Sequence, residues 1–288
     1  MANVLTPSTA AYKFTHILNA FSLAHGTPRF PVDVVTLAKD AANQHQWTDP
    51  ITEVQAADLR NFEGALFPAD EKRRWLLLYN SKLTSPGRIR FTQAHELGHY
   101  MLHRLQKDEF SCSTDDVNNR GQDEADMEFQ ADAFAANLLM PLDDFRVQMD
   151  GAADLNTLGA CASRYGTSLT ATVLRWLKYT DKKAVLVVHR DGFMDWSFSS
   201  TPAARCGAFY KTRQQLNEIP SQSMAANETV PHERTGVEVA ARTWFPHAPP
   251  DLSIQEMKIT AAEYDAVMTL LVLPRGANVW QPRDDWGT

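Results

Sequence analysis

The sequence contains little cysteine, and the cysteines it has are scattered. Cys112, Cys161 and Cys206 are the only three in 288 residues, and no two of them form a CxxC pair. Disulfide-stapled domains and cysteine-based zinc sites both depend on closely spaced cysteines. The spacing argues against both classes and is typical of a protein in a reducing compartment.

Long apolar runs are also missing. No stretch reaches the roughly 18 consecutive apolar residues that a transmembrane helix requires. The first 21 residues lack both the basic start and the continuous apolar segment of a secretory signal. We therefore expect no membrane association and a cytoplasmic location.

Basic charge is scarce in the first half of the chain. Of the net charge of −7, all lies in residues 1–150, which hold 21 acidic and 14 basic side chains, against 14 of each in residues 151–288. Residues 108–132 contain nine acidic side chains and one basic, Arg120. Such a stretch would attract a basic partner and repel nucleic acid, unless it is simply a solvated loop and helix face. Direct binding of nucleic acid is therefore disfavoured.

What the sequence does contain is an HExxH motif, His95-Glu96-Leu97-Gly98-His99. Its helical context is indicated by an apolar stripe of period 3.6 and by Ser85-Pro86, a good helix start. Residues four apart lie above one another on a helix, so His95 and His99 present their imidazoles to one point as zinc ligands. Glu96 is rotated away from that point and is placed to act as general base on a water at the metal.

A second patterned helix, predicted for residues 124–140, supplies the missing ligand. Glu128 and Asp132 are four apart and border an apolar face, where an unpaired carboxylate would be costly. Zinc would neutralise Glu128, the third ligand, and Asp132 would accept a hydrogen bond from the outer nitrogen of a ligand histidine. Gly98 would let the second helix, lined with Ala131, approach closely.

Two other residues compete for the ligand positions. His103 continues the His95/His99 face one turn further along the helix, and it could be a ligand or, as is more common at such a position, a surface residue or a support for a ligand. Glu124 lies one turn before Glu128. Glu128 is favoured over Glu124 because Glu128 has an aspartate at i+4 that can support a ligand histidine.

Periodicity predicts mostly helices before residue 180 and strands after it. An apolar run at Arg74–Tyr79 reads as a strand, Leu155–Tyr179 as two helices joined at Gly166, and Lys183–Ser199 as a hairpin turning at Asp191-Gly192. The segment between residues 200 and 250 reads as irregular. The expected fold class is α+β, with three parts: a metallopeptidase domain at 1–150, a helix-turn-helix-like segment at 151–180 and a β-rich domain at 181–288.

Two quoted segments, RIRFTQAHELGHYMLH and EFQADAFAANLLMP, resemble the ImmA/IrrE family of metallopeptidases, and the resemblance extends over residues 30–180. It implies a mainly helical, zincin-like core with a small sheet, in which His95, His99 and Glu128 hold zinc and Glu96 is the catalytic base. It also implies that the strand at 75–79 offers an edge to an extended substrate, and that the β-rich tail is a GAF-like, sensory domain.

The resemblance further implies a zinc-dependent endopeptidase that cleaves a helix-turn-helix repressor and so switches on stress or mobile-element genes. The acidic surround is suited to a basic, DNA-binding substrate. Two alternatives stay open on the residues alone. One is a DNA-binding regulator acting through residues 155–178, and the other is a metal-stabilised interaction module, such as a toxin–antitoxin partner, without turnover.

Overall fold

Helices and strands both contribute to this α+β protein, as the sequence predicts. The computed structural model describes residues 5–107, 110–112, 122–151, 153–261 and 265–281. The helices within these ranges are α1 (Pro7–His25), α2 (Val34–His45), α3 (Pro86–His103), α4 (Gln122–Leu139), α5 (Leu142–Gln148), α6 (Leu155–Tyr165), α7 (Leu169–Tyr179) and α8 (Thr201–Arg205). The strands are β1 (Ile51–Ala57), β2 (Gly64–Ala69), β3 (Arg74–Asn80), β4 (Phe110–Cys112), β5 (Lys183–Arg190), β6 (Phe193–Ser199), β7 (His232–Ala240), β8 (Ser253–Ala261) and β9 (Ala266–Leu273).

The chain divides into two compact units. The first comprises Met1–Gln148 and Cys161–Ser168, and the second comprises Met149–Ala160 and Leu169–Thr288. None of the helices in the described residues is both long and apolar enough to cross a bilayer. Parts of the acidic stretch at 108–132, namely residues 108, 109 and 113–121, lie outside the described residues.

The helices of the first unit begin where their caps predict. The Ser85 hydroxyl accepts a hydrogen bond from the Arg88 N–H, and Pro86 occupies the first turn of α3. The buried side of α4 packs against α1, where the rings of Phe14 and Phe134 meet edge to face with centroids 6.2 Å apart. This contact holds α1 and α4 together through buried side chains.

A four-stranded sheet in the first unit has the order β1-β3-β2-β4. Strand β3, predicted from its apolar run, pairs with β1 in parallel and with β2 antiparallel. The expectation that this strand offers an edge is therefore wrong, because both of its edges are occupied. An apolar run is typical of a central strand, and within the described residues the two outer strands of this sheet are β1 and β4.

The two helices predicted within residues 155–179 and the hairpin predicted for residues 183–199 also form. Helices α6 and α7 are present, and Gly166 follows α6 in the left-handed conformation, with φ of 60°. Strands β5 and β6 pair antiparallel around Asp191 and Gly192. These two turn residues have φ of 48° and 78°, as a type I′ hairpin turn requires.

The second unit is built on a five-stranded antiparallel sheet with the order β6-β5-β9-β8-β7. One face carries a buried core that includes Val185, Val187, Ile254 and Leu271. Strand β7 falls in the segment predicted to be irregular. It lies at an edge of the sheet and has no fully buried position, so its sequence lacks an apolar pattern. The zincin-like and GAF-like assignments of the two units remain predictions.

Candidate metal centre

Helix α3 places the HExxH residues inside the first unit. His95, Glu96 and His99 are all buried, with Glu96 and His99 fully so. Burial is possible because α4 comes unusually close at Gly98, where an added Cβ would lie 3.1 Å from the Ala131 Cα and 3.1 Å from a Phe134 ring carbon. Glycine at this position therefore lets the two helices approach, as the sequence predicted.

Helix α4 brings a carboxylate to the two histidines. The Oε2 atom of Glu128 lies 3.3 Å from His95 Nε2, and its Oε1 atom lies 3.4 Å from His99 Nε2. The two Nε2 atoms are 3.0 Å apart. One donor atom from each residue lies within 4.8 Å of the other two. The three side chains that the sequence selects as ligands are thus brought to one point.

These spacings fit a tetrahedral metal ion. Zinc bonds to imidazole and carboxylate are about 2.0–2.2 Å long, so neighbouring donor atoms of a tetrahedral site lie about 3.3–3.6 Å apart. The observed separations of 3.0, 3.3 and 3.4 Å are close to that edge length. Three protein donors also leave a fourth coordination position for water or substrate, which is typical of a catalytic site rather than a structural one.

Asp132 supports the site from the side of His95 away from Glu128. Its Oδ1 atom lies 2.8 Å from His95 Nδ1, and 60% of its side chain is exposed. When His95 Nδ1–H donates to this carboxylate, the ring must keep its Nε2 lone pair for a metal. Asp132 therefore has the position expected of the residue that sets the tautomer of His95.

His103 plays the corresponding part for His99, a supporting role that is one of those the sequence leaves open for it. The Nδ1 atoms of the two rings are 3.1 Å apart, and His103 Nε2 lies 3.4 Å from Gln130 Oε1. His103 is therefore on the side of His99 opposite to Glu128, too far round to be the third ligand. Phe110 of β4 stacks on the His99 ring, with centroids 4.6 Å apart. The i+4 spacing from His99 was the available signal.

Glu124, the other competing ligand, is engaged elsewhere. Its Oε1 atom accepts a hydrogen bond from Lys107 Nζ at 2.7 Å. Among the described residues, the histidine and carboxylate donors that could share a metal are those of His95, His99 and Glu128. The structure therefore favours Glu128 over Glu124 and over His103.

The protonation states suit a cation. Burial, with smaller contributions from the neighbouring histidines, lowers the pKa of His99 to about 4, despite the opposing effect of Glu128. Burial also lowers the pKa of His103. Burial acts to raise the pKa of Glu128, but hydrogen bonds from His95 and His99 outweigh it and hold that pKa well below its usual range. At neutral pH the centre offers a neutral His99 and an ionised carboxylate, the forms that bind metal.

Space for the Glu96 carboxylate is created by a glycine at the start of β2. A Cβ added to Gly64 would lie 2.5 Å from Glu96 Oε1 and 2.6 Å from Thr92 Cγ2, closer than real Cβ contacts. Any larger residue at this position would displace the carboxylate. Nothing local in the sequence links Gly64 to Glu96, so only the packing of β2 on α3 reveals this role.

Two adjacent helices bring the donor atoms of two histidines and Glu128 to one point, and the buried Glu96 lies on the same helix as the histidines. This arrangement is that of a metallopeptidase-type centre. Residues 49–177 match the family model Peptidase_M78, described as the IrrE N-terminal-like domain. Over those residues the chain is similar to this peptidase family, and the predicted resemblance to the ImmA/IrrE family is confirmed there. Residues 30–48, where a resemblance was also expected, lie outside the match.

One solved structure extends the comparison to most of the chain. It is described as a Mycobacterium tuberculosis transcriptional regulator, and it is 15% identical over 91% of this chain and 76% of its own, with a TM-score of 0.52. At that identity the similarity concerns the fold alone. No curated protein matches the sequence significantly.

Proposed function

We propose that the protein is a zinc-dependent endopeptidase. The observation that carries this proposal is the convergence of His95, His99 and Glu128 donors within 4.8 Å, with the buried Glu96 next to His95 on α3. The donor set of two imidazoles and one carboxylate is that of a hydrolytic zinc site. The peptidase family of residues 49–177 supports the reaction class.

Each residue of the centre has a distinct task in this proposal. Bound zinc would polarise the scissile carbonyl and the attacking water. Glu96 accepts the proton of that water as general base and delivers it to the leaving amine as general acid. Asp132 and His103 orient His95 and His99 through their outer nitrogens, and Gly64 keeps the space in which the Glu96 carboxylate moves.

The sheet offers a place for an extended substrate beside this centre. Strand β2 carries Gly64 against Glu96, and β4 pairs with β2 from Gly64 to Leu66. Because β4 is an outer strand among the described residues, a peptide can add to its free edge through main-chain hydrogen bonds, one strand away from Gly64 and the catalytic base. We therefore propose the edge of β4 as the substrate edge instead of that of β3, which lies inside the sheet.

We further propose a helix-turn-helix transcriptional repressor as the substrate, cleaved to switch on stress or mobile-element genes. The family resemblance supports this choice. The acidic composition of residues 108–132 supports it too, because a DNA-binding protein presents basic surface. The similarity to a structure described as a transcriptional regulator is compatible with a regulatory role.

Direct DNA binding through residues 155–178 is less well supported. Arg164 is held by Asp144 in a two-point ion pair of 2.9 and 2.7 Å, and Arg175 is buried. The third cation in this segment, Lys178, is exposed. So small a basic surface would supply little of the phosphate contact on which DNA affinity depends.

The test is a substrate trap based on Glu96→Gln, with Glu71→Gln as the matched control because Glu71 is exposed. Zinc content would be measured on both variants, and proteins that co-purify from the native host would be identified by mass spectrometry. We expect Glu96→Gln to bind zinc stoichiometrically, to retain a helix-turn-helix repressor and to leave it uncut, while Glu71→Gln and wild type shorten it.

Three outcomes would count against the proposal. Cleavage by Glu96→Gln would remove Glu96 as the base. If the captured and cleaved protein does not bind DNA, the proposed peptidase activity stands but the proposal of a repressor as substrate is wrong. Stoichiometric zinc with no cleavage by wild type of any captured protein would favour the interaction module.

A further inference from the structure

The second unit contains a cavity of about 540 Å³ at one end of its five-stranded sheet. Its wall includes residues of β5, β8 and β9 together with the hairpin turn at Asp191 and Gly192. Binding sites for small molecules generally measure about 300–1,000 Å³. The size is therefore that of a site for a small molecule.

Strand pairing places the cavity on the same sheet face as the apolar core. Val185 on β5 pairs with Leu271 on β9, which pairs with Glu256 on β8. Two residues further along each strand, a row of Val187, Thr269 and Lys258 follows, and then a row of His189, Val267 and Thr260. Because side chains on one face recur every second residue, the core face changes from apolar to polar along these rows.

The polar residues at this end are deeply buried. His189 is 5% exposed and Lys258 is 2% exposed, and both line the cavity. Within the described residues, His189 Nε2 makes no hydrogen bond, and neither does the Thr269 hydroxyl beside Lys258. The Lys258 ammonium donates to the Asn227 carbonyl oxygen at 2.7 Å, and such a group has three N–H donors.

Burying such groups without partners is costly, and native proteins rarely do it. The nearby Glu256 carboxylate does not meet the need, because it accepts hydrogen bonds from the Ala225 N–H at 2.7 Å and the Trp244 indole N–H at 2.9 Å. The polar inner wall of the cavity is therefore suited to an acceptor group that enters from outside.

The mouth of the cavity has the opposite charge. Asp191, Glu228 and Asp265 line it and are exposed. The one arginine in the lining, Arg190, lies 3.4 Å from Asp195 and is partly neutralised there. The cavity thus has a cationic and hydrogen-bond-donating inner end and an acidic outer end.

We propose that this cavity binds a small zwitterion of the amino-acid class, with its carboxylate against Lys258 and His189 and its ammonium towards Glu228 and Asp265. A molecule with both charges matches both ends of the cavity. A simple anion would meet the acidic mouth, and a simple amine would meet Lys258. The site is separate from the metal centre and is not needed for the proposed peptidase reaction.

The first experiment compares probes on the full-length protein. Thermal unfolding of wild type would be followed with each of the twenty standard amino acids, and with acetate, methylamine and inorganic phosphate at equal concentration. A ligand that binds only the folded state raises Tm, and the rise increases with the logarithm of the ratio of ligand concentration to Kd once that ratio is large. We expect at least one amino acid to raise Tm clearly more than acetate, methylamine or phosphate does. Equal shifts, a shift with phosphate alone, or no shift would overturn the proposal.

The second experiment assigns the effect to this cavity by calorimetric titration of the best amino acid. Lys258→Met should weaken binding by about tenfold or more, since a charge-assisted hydrogen bond is lost. Lys211→Met is the matched control, because Lys211 is exposed and outside the cavity. Unchanged affinity in Lys258→Met would refute the site.

A variant at the mouth keeps the test decisive if Lys258→Met fails to fold. Glu228 is exposed, so Glu228→Gln leaves the core intact, and we expect it to weaken binding of the amino acid while sparing that of acetate. Glu238→Gln, an exposed change on β7, should alter neither. Equal affinities in Glu228→Gln and wild type would show that the acidic mouth does not hold the ammonium group, and would overturn the proposal of a zwitterionic ligand.

Discussion

Replacing Asp132 by alanine would separate orientation of a ligand from the packing that surrounds it. The Asp132 carboxylate lies 2.8 Å from His95 Nδ1, yet 60% of its side chain is exposed. Truncation therefore opens no cavity in the core, and we expect the free energy of unfolding of the zinc-free protein to change by less than about 1 kcal/mol. What the variant loses is the acceptor that holds His95 in the tautomer with a free Nε2.

The expected cost to zinc binding follows from that single contact. Removing a hydrogen-bond partner of a metal-bound histidine commonly weakens metal binding by about 10–100-fold. That range corresponds to about 1.4–2.7 kcal/mol. The lower end is the better expectation for Asp132, because water can reach an exposed position and replace part of the lost hydrogen bond.

The assay is competition for zinc with a chromogenic chelator, run on wild type, Asp132→Ala, Asp132→Asn and Asp126→Ala. The asparagine variant keeps an acceptor oxygen and should recover part of the affinity. Asp126 is exposed on the same helix, and its replacement should have no effect. An Asp132→Ala protein that binds zinc as tightly as wild type would refute the orienting role and the histidine geometry on which it depends.

Four further changes test other parts of the first unit. Gly64→Ala should leave zinc bound but lower the kcat on the captured substrate at least tenfold. The reason is that the added Cβ would displace the Glu96 carboxylate, and an unchanged kcat would contradict this. Gly98→Val should lower the free energy of unfolding by about 1–3 kcal/mol in urea titrations, since it overpacks the α3–α4 contact. His103→Ala should weaken zinc binding by about 10–100-fold in the chelator assay through His99, with full affinity as the contrary result. Asp144→Asn should cost about 1–2 kcal/mol near neutral pH, because the carboxylate accepts hydrogen bonds from Arg164 and Tyr165. Although burial acts to raise the Asp144 pKa, these partners hold it below 3.8, so the difference from wild type should shrink as pH falls below that value.

Local features were the most predictable. The HExxH helix, its Ser85-Pro86 start, the α6–α7 pair and the Asp191-Gly192 turn are each specified by residues within a few positions of one another. Helical period, capping and turn chemistry act over that range, so one segment carries the whole signal. The α+β class followed from the same patterns.

Strand positions within the sheets were harder to predict. The apolar run of β3 correctly predicts a strand, but the expected edge position is wrong, because β3 lies between β1 and β2. Strand β7 was missed because an edge strand with one weakly buried face needs no apolar alternation. Both errors concern which strands become neighbours, and pairing depends on segments far apart in the chain.

The candidate centre divides in the same way. The sequence by itself determined that His95 and His99 share a helix face and that Glu128 and Asp132 share another, because those pairs are four residues apart on single helices. Only the tertiary structure decided that Glu128 meets both histidines, that His103 supports His99 and that Gly64 makes room for Glu96. In the second unit, likewise, only the tertiary structure decided that Lys258 and His189 line one cavity. Those contacts join separate helices and strands, and their distances are set by how whole elements pack, which no local pattern encodes.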